Sequence, residues 1–467
     1  MICIKNSKLL FLIFIGFFGC KSHGRIESIF QSNPSRNALR FQVDLITTDS
    51  LTVQIEYWQK GDSLNKSFTN ASESALKHHF VLTNLLPKHS YEYRILTQQE
   101  DYQELSRIYD FSTPDFPIWI QDVFRVLSPD STVVPSIFQE GYTLLSRRES
   151  PGIIFMVDVK GKIRWYHQVN GTGFKTTHFT PNKTILSILG TEAFPTSYGD
   201  EILELSLEGD TLFRLKKGEK DFDKTIHHEI ILNDKNEIVT LSVEEKILNL
   251  SAIGGSKQDT IKSDGIMILD RNGKKVWSWS LFDALDPLSQ KNILKEKADW
   301  MHANSLKYDT DGNFLISFYN NGQVWKLDSK TGNVIWKFGK GGDFKIPKAG
   351  YFDHAHAAHR NAKGDLTVFD NGTDHSISRT LSFRLDEKNK TAEIVDQVKL
   401  PSQIYSARMG SSFLITSDSY LQCSSKTNSV VLSNTEGRLL WLLKSNFMPY
   451  RAEFVSGKQV NPYLSNP

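Results

Sequence analysis

Asp299-Trp300-Met301-His302-Ala303-Asn304-Ser305 opens a phrase that continues through the turn Asp309-Thr310-Asp311-Gly312 and the strand Phe314-Leu315-Ile316-Ser317 to Asn321-Gly322. It returns as Asp353-His354-Ala355-His356, then Asn361-Ala362-Lys363-Gly364, Leu366-Thr367-Val368-Phe369 and Asp370-Asn371-Gly372. Between the copies lie Val324-Trp325-Lys326-Leu327-Asp328, a Lys330-Thr331-Gly332 turn and Val334-Ile335-Trp336-Lys337-Phe338. Strands that alternate with period two and join at glycine turns are antiparallel hairpins. Four of them followed by a restart on the same histidine make one blade of a propeller.

Working outward, the outer hairpins fall at Ile153 to Trp165, Glu201 to Leu215, Gly265 to Trp279, Gly322 to Phe338, Arg379 to Val395 and Ser429 to Leu443. Inner strands are expected at Tyr142–Leu145, Lys183–Ile188, Ile238–Leu241, Phe314–Phe318, Leu366–Phe369 and Ser412–Thr416. The count is a six-bladed, all-β propeller over 116–467. Tyr450-Arg451-Ala452-Glu453-Phe454 is left over and is expected to close the ring on blade one. Trp165, Trp277, Trp336 and Trp441 recur on the outer hairpins and read as packing between blades.

Aligned on Gly312 and Gly364, His302 falls on His354 and Asn304 on His356, and strand parity sends all four to one face. An earlier copy, Thr225-Ile226-His227-His228-Glu229, puts His228 rather than His227 on that parity. His228, His302 and His356 are therefore expected in one central pocket, with His227 and His359 pointing elsewhere. A blade core would not hold so many unpaired imidazoles.

The chain has 467 residues, enough for a propeller and a smaller module. With 55 Lys+Arg against 53 Asp+Glu, nothing calls for a nucleic acid or other polyanion. Residues 1–20 read as a targeting segment: Lys5 and Lys8, then the apolar run Leu9 to Phe18, too short to span a membrane as a helix. Phe17-Phe18-Gly19-Cys20 resembles a bacterial lipobox, which makes Cys20 the lipidated first residue of a protein anchored in a bacterial membrane and facing the periplasm. Only Cys20 and Cys423 then remain, and no structural disulfide is expected. Residues 21–39 read as a tether. Residues 40–115 read as a small fibronectin-III-like β-sandwich, with a tyrosine corner near Tyr91-Glu92-Tyr93 and with His78 and His79 on its surface.

There is no Gly-x-Ser-x-Gly, no phosphate-cradling glycine loop and no cysteine pair for zinc. Histidines from separate blades can bind a metal, hold an anion or attack an electrophile. A metal site usually recruits carboxylates, and Asp353 and Glu229 have the wrong parity. That favours anion binding or covalent chemistry, with no metal. A channel lined by mutually satisfied polar residues is the blander reading.

His302-Ala303-Asn304-Ser305 before Gly312-Asn313, Trp336-Lys337-Phe338-Gly339, and His356 ahead of Asp370-Asn371-Gly372 together resemble the bacterial arylsulfotransferases. That family pairs a small N-terminal β-sandwich with a six-bladed propeller, so the resemblance covers nearly the whole mature chain. It implies transfer of a sulfuryl group from an aryl sulfate donor to a phenolic acceptor with no cofactor, in particular no phosphoadenosine. By this resemblance His356 matches the nucleophile, which becomes a transient sulfohistidine. His302 and His228 match sulfate-holding histidines, and Asn304 and His354 join the substrate-binding set. The family has an arginine in a Ser-Ser-Arg run, whereas here Ser317-Phe318-Tyr319 puts Tyr319 in its place; Arg408 or Arg451 would have to supply the cation. A lipid-anchored propeller that binds an anionic ligand or a protein without turnover is the alternative class. Oligomeric state is not legible.

Overall fold

The computed structural model describes residues 26–33, 36–99, 102–127, 133–194, 197–290, 292–460 and 463–464. Cys20 and the targeting segment lie outside the described residues. Two compact units appear: the described residues within 1–34, 41–82 and 89–112 form one, and those within 35–40, 83–88 and 113–467 the other.

The first unit is built around the strand Phe41–Gln59, whose apolar residues recur at alternate positions and are buried at those positions. Its first half pairs with Ile26–Ser32 and Ala75–Leu82, and its second half with Ser67–Phe68 and Ser90–Gln99. Val43, Leu45, Val53, Ile55, Tyr93 and Ile95 form its interior. Two expectations change here. The stretch assigned to a tether contains Ile26–Ser32, an edge strand with so little buried surface that its composition reads as linker. His78 is buried and lies 2.8 Å from Ser72 Oγ, while its neighbour His79 is exposed beside Asp44, because adjacent strand residues face opposite sides.

The second unit is a propeller of six antiparallel sheets. From the inside outward, blade two is Gly173–Phe179, Ile185–Gly190, Glu201–Leu205 and Thr211–Lys216. Blade three is Ile226–Leu232, Ile238–Leu248, Asp259–Leu269 and Lys275–Ser280. Blade four is Ala303–Tyr308, Phe314–Phe318, Gln323–Leu327 and Val334–Gly339, and blade five is His356–Arg360, Leu366–Asp370, Arg379–Asp386 and Thr391–Lys399. Blade one takes its innermost strand, Ala452–Val455, from the far end of the chain, where it pairs with Tyr142–Arg147 in the register Ala452 to Leu145. The leftover segment thus closes the ring with backbone hydrogen bonds.

Blade six departs from expectation. Ser411–Leu414 is its innermost strand, and the position given to Ser412–Thr416 by analogy belongs to Ser419–Ser424. That strand is wholly buried although half its residues are polar. Gln422 donates to Thr380 Oγ1 (2.8 Å) and Ser424 to Ile404 O (2.8 Å), so internal partners replace the water a loop would have had. Phe124–Val126 adds a strand at this blade's outer edge.

The recurrent tryptophans do more than fill space. Trp165 Nε1 donates to Leu207 O (2.7 Å), Trp277 to Lys330 O (3.2 Å), Trp336 to Glu387 Oε2 (3.0 Å) and Trp441 to Val159 O (2.8 Å). Trp165, Trp336 and Trp441 are buried and Trp277 is half-buried, and each spends its one donor on the outer turn of the next blade.

Candidate functional site

The site forms where the innermost strands of blades three, four and five begin, and local backbone irregularity builds it. His228 (φ 56°), His302 (φ 52°) and His354 (φ 56°) all adopt the left-handed conformation, which non-glycine residues enter only at a cost of about 1–3 kcal/mol. The strand register slips between His227 and Ile230, between Ala303 and Ser305, and between His356 and His359. Bulges re-aim side chains. Simple parity therefore fails as the reason for convergence, although the three imidazoles do meet.

His228 and His302 stand ring to ring at 4.8 Å. Tyr319 occupies the middle, its ring 5.4 Å from His302, 4.3 Å from His354 and 5.2 Å from His356. Its hydroxyl reaches Ala407 O at 3.3 Å, next to the exposed Arg408. His227 sits behind the pocket, stacked on Tyr198 at 4.9 Å, with Nδ1 2.8 Å from His228 Nδ1. Asn304 is spent on bracing: its amide donates to Ala355 O (2.8 Å) and accepts from Ser317, and its carbonyl accepts from Arg451 Nη2 (2.6 Å).

The Asp370-Asn371-Gly372 motif explains how His356 is held. Asp370 accepts from the Asp353 amide (3.0 Å) and from Arg379 Nε (2.8 Å), clamping the loop that carries His354 and His356. Asn371 Oδ1 faces His356 Nδ1 at 2.7 Å, while its Nδ2 donates to Ser406 O (2.6 Å) and Met409 O (2.8 Å). Gly372 has φ 62°, and a Cβ there would fall 2.0 Å from Ile377 O.

Carboxylates stand beside two of these histidines, Asp353 among them although parity excluded it. Asp299 Oδ2 lies 2.6 Å from His302 Nδ1, and Asp353 Oδ1 lies 2.7 Å from His354 Nδ1, which also meets Thr373 Oγ1 at 2.7 Å. Burial opposes a charge on His302, yet the hydrogen bond and charge of Asp299, with Asp264, raise its pKa above the ordinary value. His356 goes the other way. Burial pushes it down to about 3 against the Asn371 hydrogen bond, with His302 and Arg451 adding to the fall. Burial first, then His302, His227, His356 and Arg451, hold His228 well below the ordinary histidine range.

Farther along, the innermost strand of each blade contributes one side chain to a layer across the ring: Glu453, His178, Glu229, Lys307, His359 and Phe413. Glu229, fully buried, accepts from Arg451, from His178 and from Lys307 Nζ (3.2 Å). His178 Nδ1 meets Glu453, and His359 packs on Phe413 at 5.0 Å. Burial works against a charge on His178, but Glu453 and Glu229 raise its pKa. With His178 protonated, three cationic groups (His178, Lys307, Arg451) face two carboxylates, an excess of one positive charge. Glu229, dismissed on parity, is the hub of this layer because the bulge at His228 turns it to the axis. His359 leaves the histidine cluster but stays in the channel, where Lys307, Arg451 and Glu229 act on it.

Sequence reasoning missed Asp299, Asn371, His178 and Tyr450, whose ring lies 5.9 Å from His228. Asp299 and Asn371 stood inside the quoted phrases, at fixed offsets from the histidines. His178 carried no signal. Among the described residues no three His, Cys, Asp or Glu side chains are grouped to hold a metal ion.

Solved structures align with the chain at low identity. A protein of unknown function from Bacteroides caccae aligns at 11% identity over 68% of this chain and 99% of that one, with a TM-score of 0.43. Virginiamycin B lyase from Staphylococcus aureus aligns at 10% identity over 72% of this chain and 96% of that one, with a TM-score of 0.37. No curated protein matches the chain. The family model described as Arylsulfotransferase (ASST) matches residues 130–439, which is more than half of the sequence and takes in each of the histidine phrases. On that match the chain belongs to the arylsulfotransferase family.

Proposed function

We propose that the protein moves a sulfuryl group from an aryl sulfate to a phenol in two steps, through a sulfohistidine at His356. The observation that carries this reading is the bond between His356 Nδ1 and Asn371 Oδ1. Both protons of the Asn371 amide are committed to Ser406 O and Met409 O, so its oxygen can only accept. His356 Nδ1 must then carry the ring proton, and Nε2 keeps its lone pair. The low pKa keeps that lone pair free at neutral pH.

In the first step Nε2 attacks sulfur as the aryl C–O–S linkage breaks at the S–O bond, and the phenolate leaves. In the second, a phenol oxygen attacks the sulfur of sulfo-His356 as its hydroxyl proton passes to solvent or to a neutral imidazole of the pocket, the S–N bond breaks and the neutral imidazole of His356 is regenerated. Splitting the transfer in this way gives ping-pong kinetics. His302, kept cationic by Asp299, presents Nε2–H to the sulfuryl oxygens, where charge spreads in the transition state. The excess positive charge around Glu229, to which Arg451 and Lys307 both pair, supports the anion from beneath and offsets the loss of a cation at Tyr319. Lipidation at Cys20, in a bacterial membrane and on its periplasmic side, belongs to the same proposal and rests on the lipobox-like sequence alone.

The test is release of nitrophenol from 4-nitrophenyl sulfate, with and without a phenol acceptor, by the wild type and by His356→Ala at matched folded concentration. The expected result is a loss of several orders of magnitude in the variant. His302→Ala should retain part of the rate, since one stabilising donor is worth about 2–4 kcal/mol. Equal turnover in the wild type and the His356 variant would remove the covalent route. Tyr319 in the arginine's place favours a second reading, an anion-binding propeller without turnover, which would show binding of an aryl sulfate and no release of nitrophenol.

A further inference from the structure

We propose that Asp264, His227 and His228 form a proton relay that stores, between the two half-reactions, the proton exchanged with the phenol oxygen. The proposal rests on the sulfuryl-transfer reading above. His228 Nδ1 lies 2.8 Å from His227 Nδ1, so one ring must donate and the other accept, and the tautomer of each dictates that of the other. At the far side of the second ring, His227 Nε2 faces Asp264 Oδ1 at 3.6 Å. All three residues are buried, at 1% exposure for His227, 4% for His228 and 2% for Asp264. Neither His227 Nε2 nor Asp264 Oδ2 has a hydrogen-bond partner among the described residues. Buried polar atoms without partners on two neighbouring side chains would burden a purely structural element, which apolar groups would fill better.

The chain of contacts starts deep in blade three and ends at the pocket, where His228 meets His302 at 4.8 Å. His302, Asp299 and Glu244 are the other charged groups acting on Asp264, whose carboxylate also accepts from the Ala303 amide. Burial raises its pKa to about 8, against His302 and the Ala303 bond. Asp264 therefore rests protonated near neutral pH.

The proton balance closes over one cycle. When the donor's phenolate leaves His356-bound sulfur, His228 Nε2–H protonates it. His227 reprotonates His228 through the Nδ1 pair, and Asp264 gives its proton to His227 Nε2. When the acceptor phenol attacks sulfo-His356, its proton enters at His228 Nε2 and runs the opposite way, and Asp264 is protonated again. Sulfur changes partner from oxygen to nitrogen to oxygen, and no oxidant or co-reactant is needed. His302 keeps its proton throughout.

Asp264→Asn tests the idea, because the amide is isosteric with the protonated acid and should fold. Two rates are compared. The first is the single-turnover burst of 4-nitrophenol from 4-nitrophenyl sulfate, whose leaving group needs little help from a proton. The second is transfer from the same donor to phenol, a weak acid that must lose one. General acid–base assistance is worth roughly 10²–10⁴-fold. Transfer to phenol should therefore fall by about 10²-fold while the burst falls far less, and transfer to a nitrophenol acceptor should fall less than transfer to phenol. A merely structural displacement of His228 would depress burst and transfer by the same factor, and that outcome overturns the relay. Should Asp264→Asn fail to fold by thermal melt, His227→Gln breaks the same chain one link later and faces the same comparison. A folded wild type with no burst at all overturns the sulfuryl-transfer reading, a result distinct from an equal fall in both rates.

Discussion

Asn371 Oδ1 and His356 Nδ1 lie 2.7 Å apart, and the Asn371 amide cannot turn because Ser406 O and Met409 O hold its nitrogen at 2.6 and 2.8 Å. One side chain thus selects the tautomer of another. Asn371→Asp keeps the shape but places a carboxylate at Nδ1, which would raise the imidazole pKa and put a proton on Nε2 at low pH. The expected outcome is a new acidic limb in the pH profile of nitrophenol release, with activity recovering as pH rises. Asn371→Ala should lower kcat at all pH values by about 10–100-fold without a matching change in KM, as loss of an orienting partner does.

The raised pKa of His302 sets the alkaline side. Its imidazolium is present below its folded pKa and lost as pH rises through that value, so kcat/KM should fall in that direction. Asp299→Asn removes the main interaction that raises it and leaves burial opposed by Asp264 only. The alkaline limb should then shift acidward. A pH profile of both proteins decides it, and an unmoved limb would take His302 out of the role.

Tyr319→Arg adds a fixed cation among His302, His354 and His356. Charge-assisted hydrogen bonds to a sulfuryl group are about twice as strong as neutral ones. KM for simple aryl sulfates should drop by about tenfold, read from initial rates over a donor series. Tyr319→Phe, which adds no charge, should not reproduce the gain.

Glu229→Gln leaves Arg451 and Lys307 without their shared carboxylate inside the channel. Breaking a buried pair by removing one partner costs about 3–5 kcal/mol, and urea unfolding should show that loss. The pH signature is also specific. His178 has a raised folded pKa, so its contribution is full below about 6.5 and is lost as pH rises through the folded value. In Glu229→Gln that dependence should shrink, because one of the two carboxylates holding His178 is gone.

Cys20→Ser should abolish acyl labelling and release the protein from membranes. Metabolic labelling with a palmitate analogue, followed by fractionation, reads both. A variant that stays membrane-bound and labelled would end the lipoprotein reading.

Much of the architecture was legible because a propeller writes itself as repetition. The apolar strands, Gly312 and Gly364 at equivalent turns, and tryptophans at one offset each report a local periodicity that the chain must satisfy blade by blade. The spare Tyr450–Phe454 segment betrayed the closure by having no hairpin of its own. Blade six was misread at Ser419–Ser424 because its polar residues are satisfied by partners far along the chain, and no composition rule reports that.

The sequence by itself determined the six-fold repeat, the pairing of histidine phrases and the family they belong to, since these depend on spacing along one strand and turn. It also named His228, His302 and His356, though for a reason that does not hold. Only the tertiary structure decided how these side chains meet. Left-handed residues at His228, His302 and His354 break the alternation that parity assumes, and they turn Glu229 from a presumed outsider into the centre of the channel. The tautomer of His356, the cationic state of His302 and the pairing of His178, Lys307 and Arg451 with Glu229 likewise arise from residues far apart in the chain. Their charges and protons are set by distance and burial, which exist only once the ring has closed.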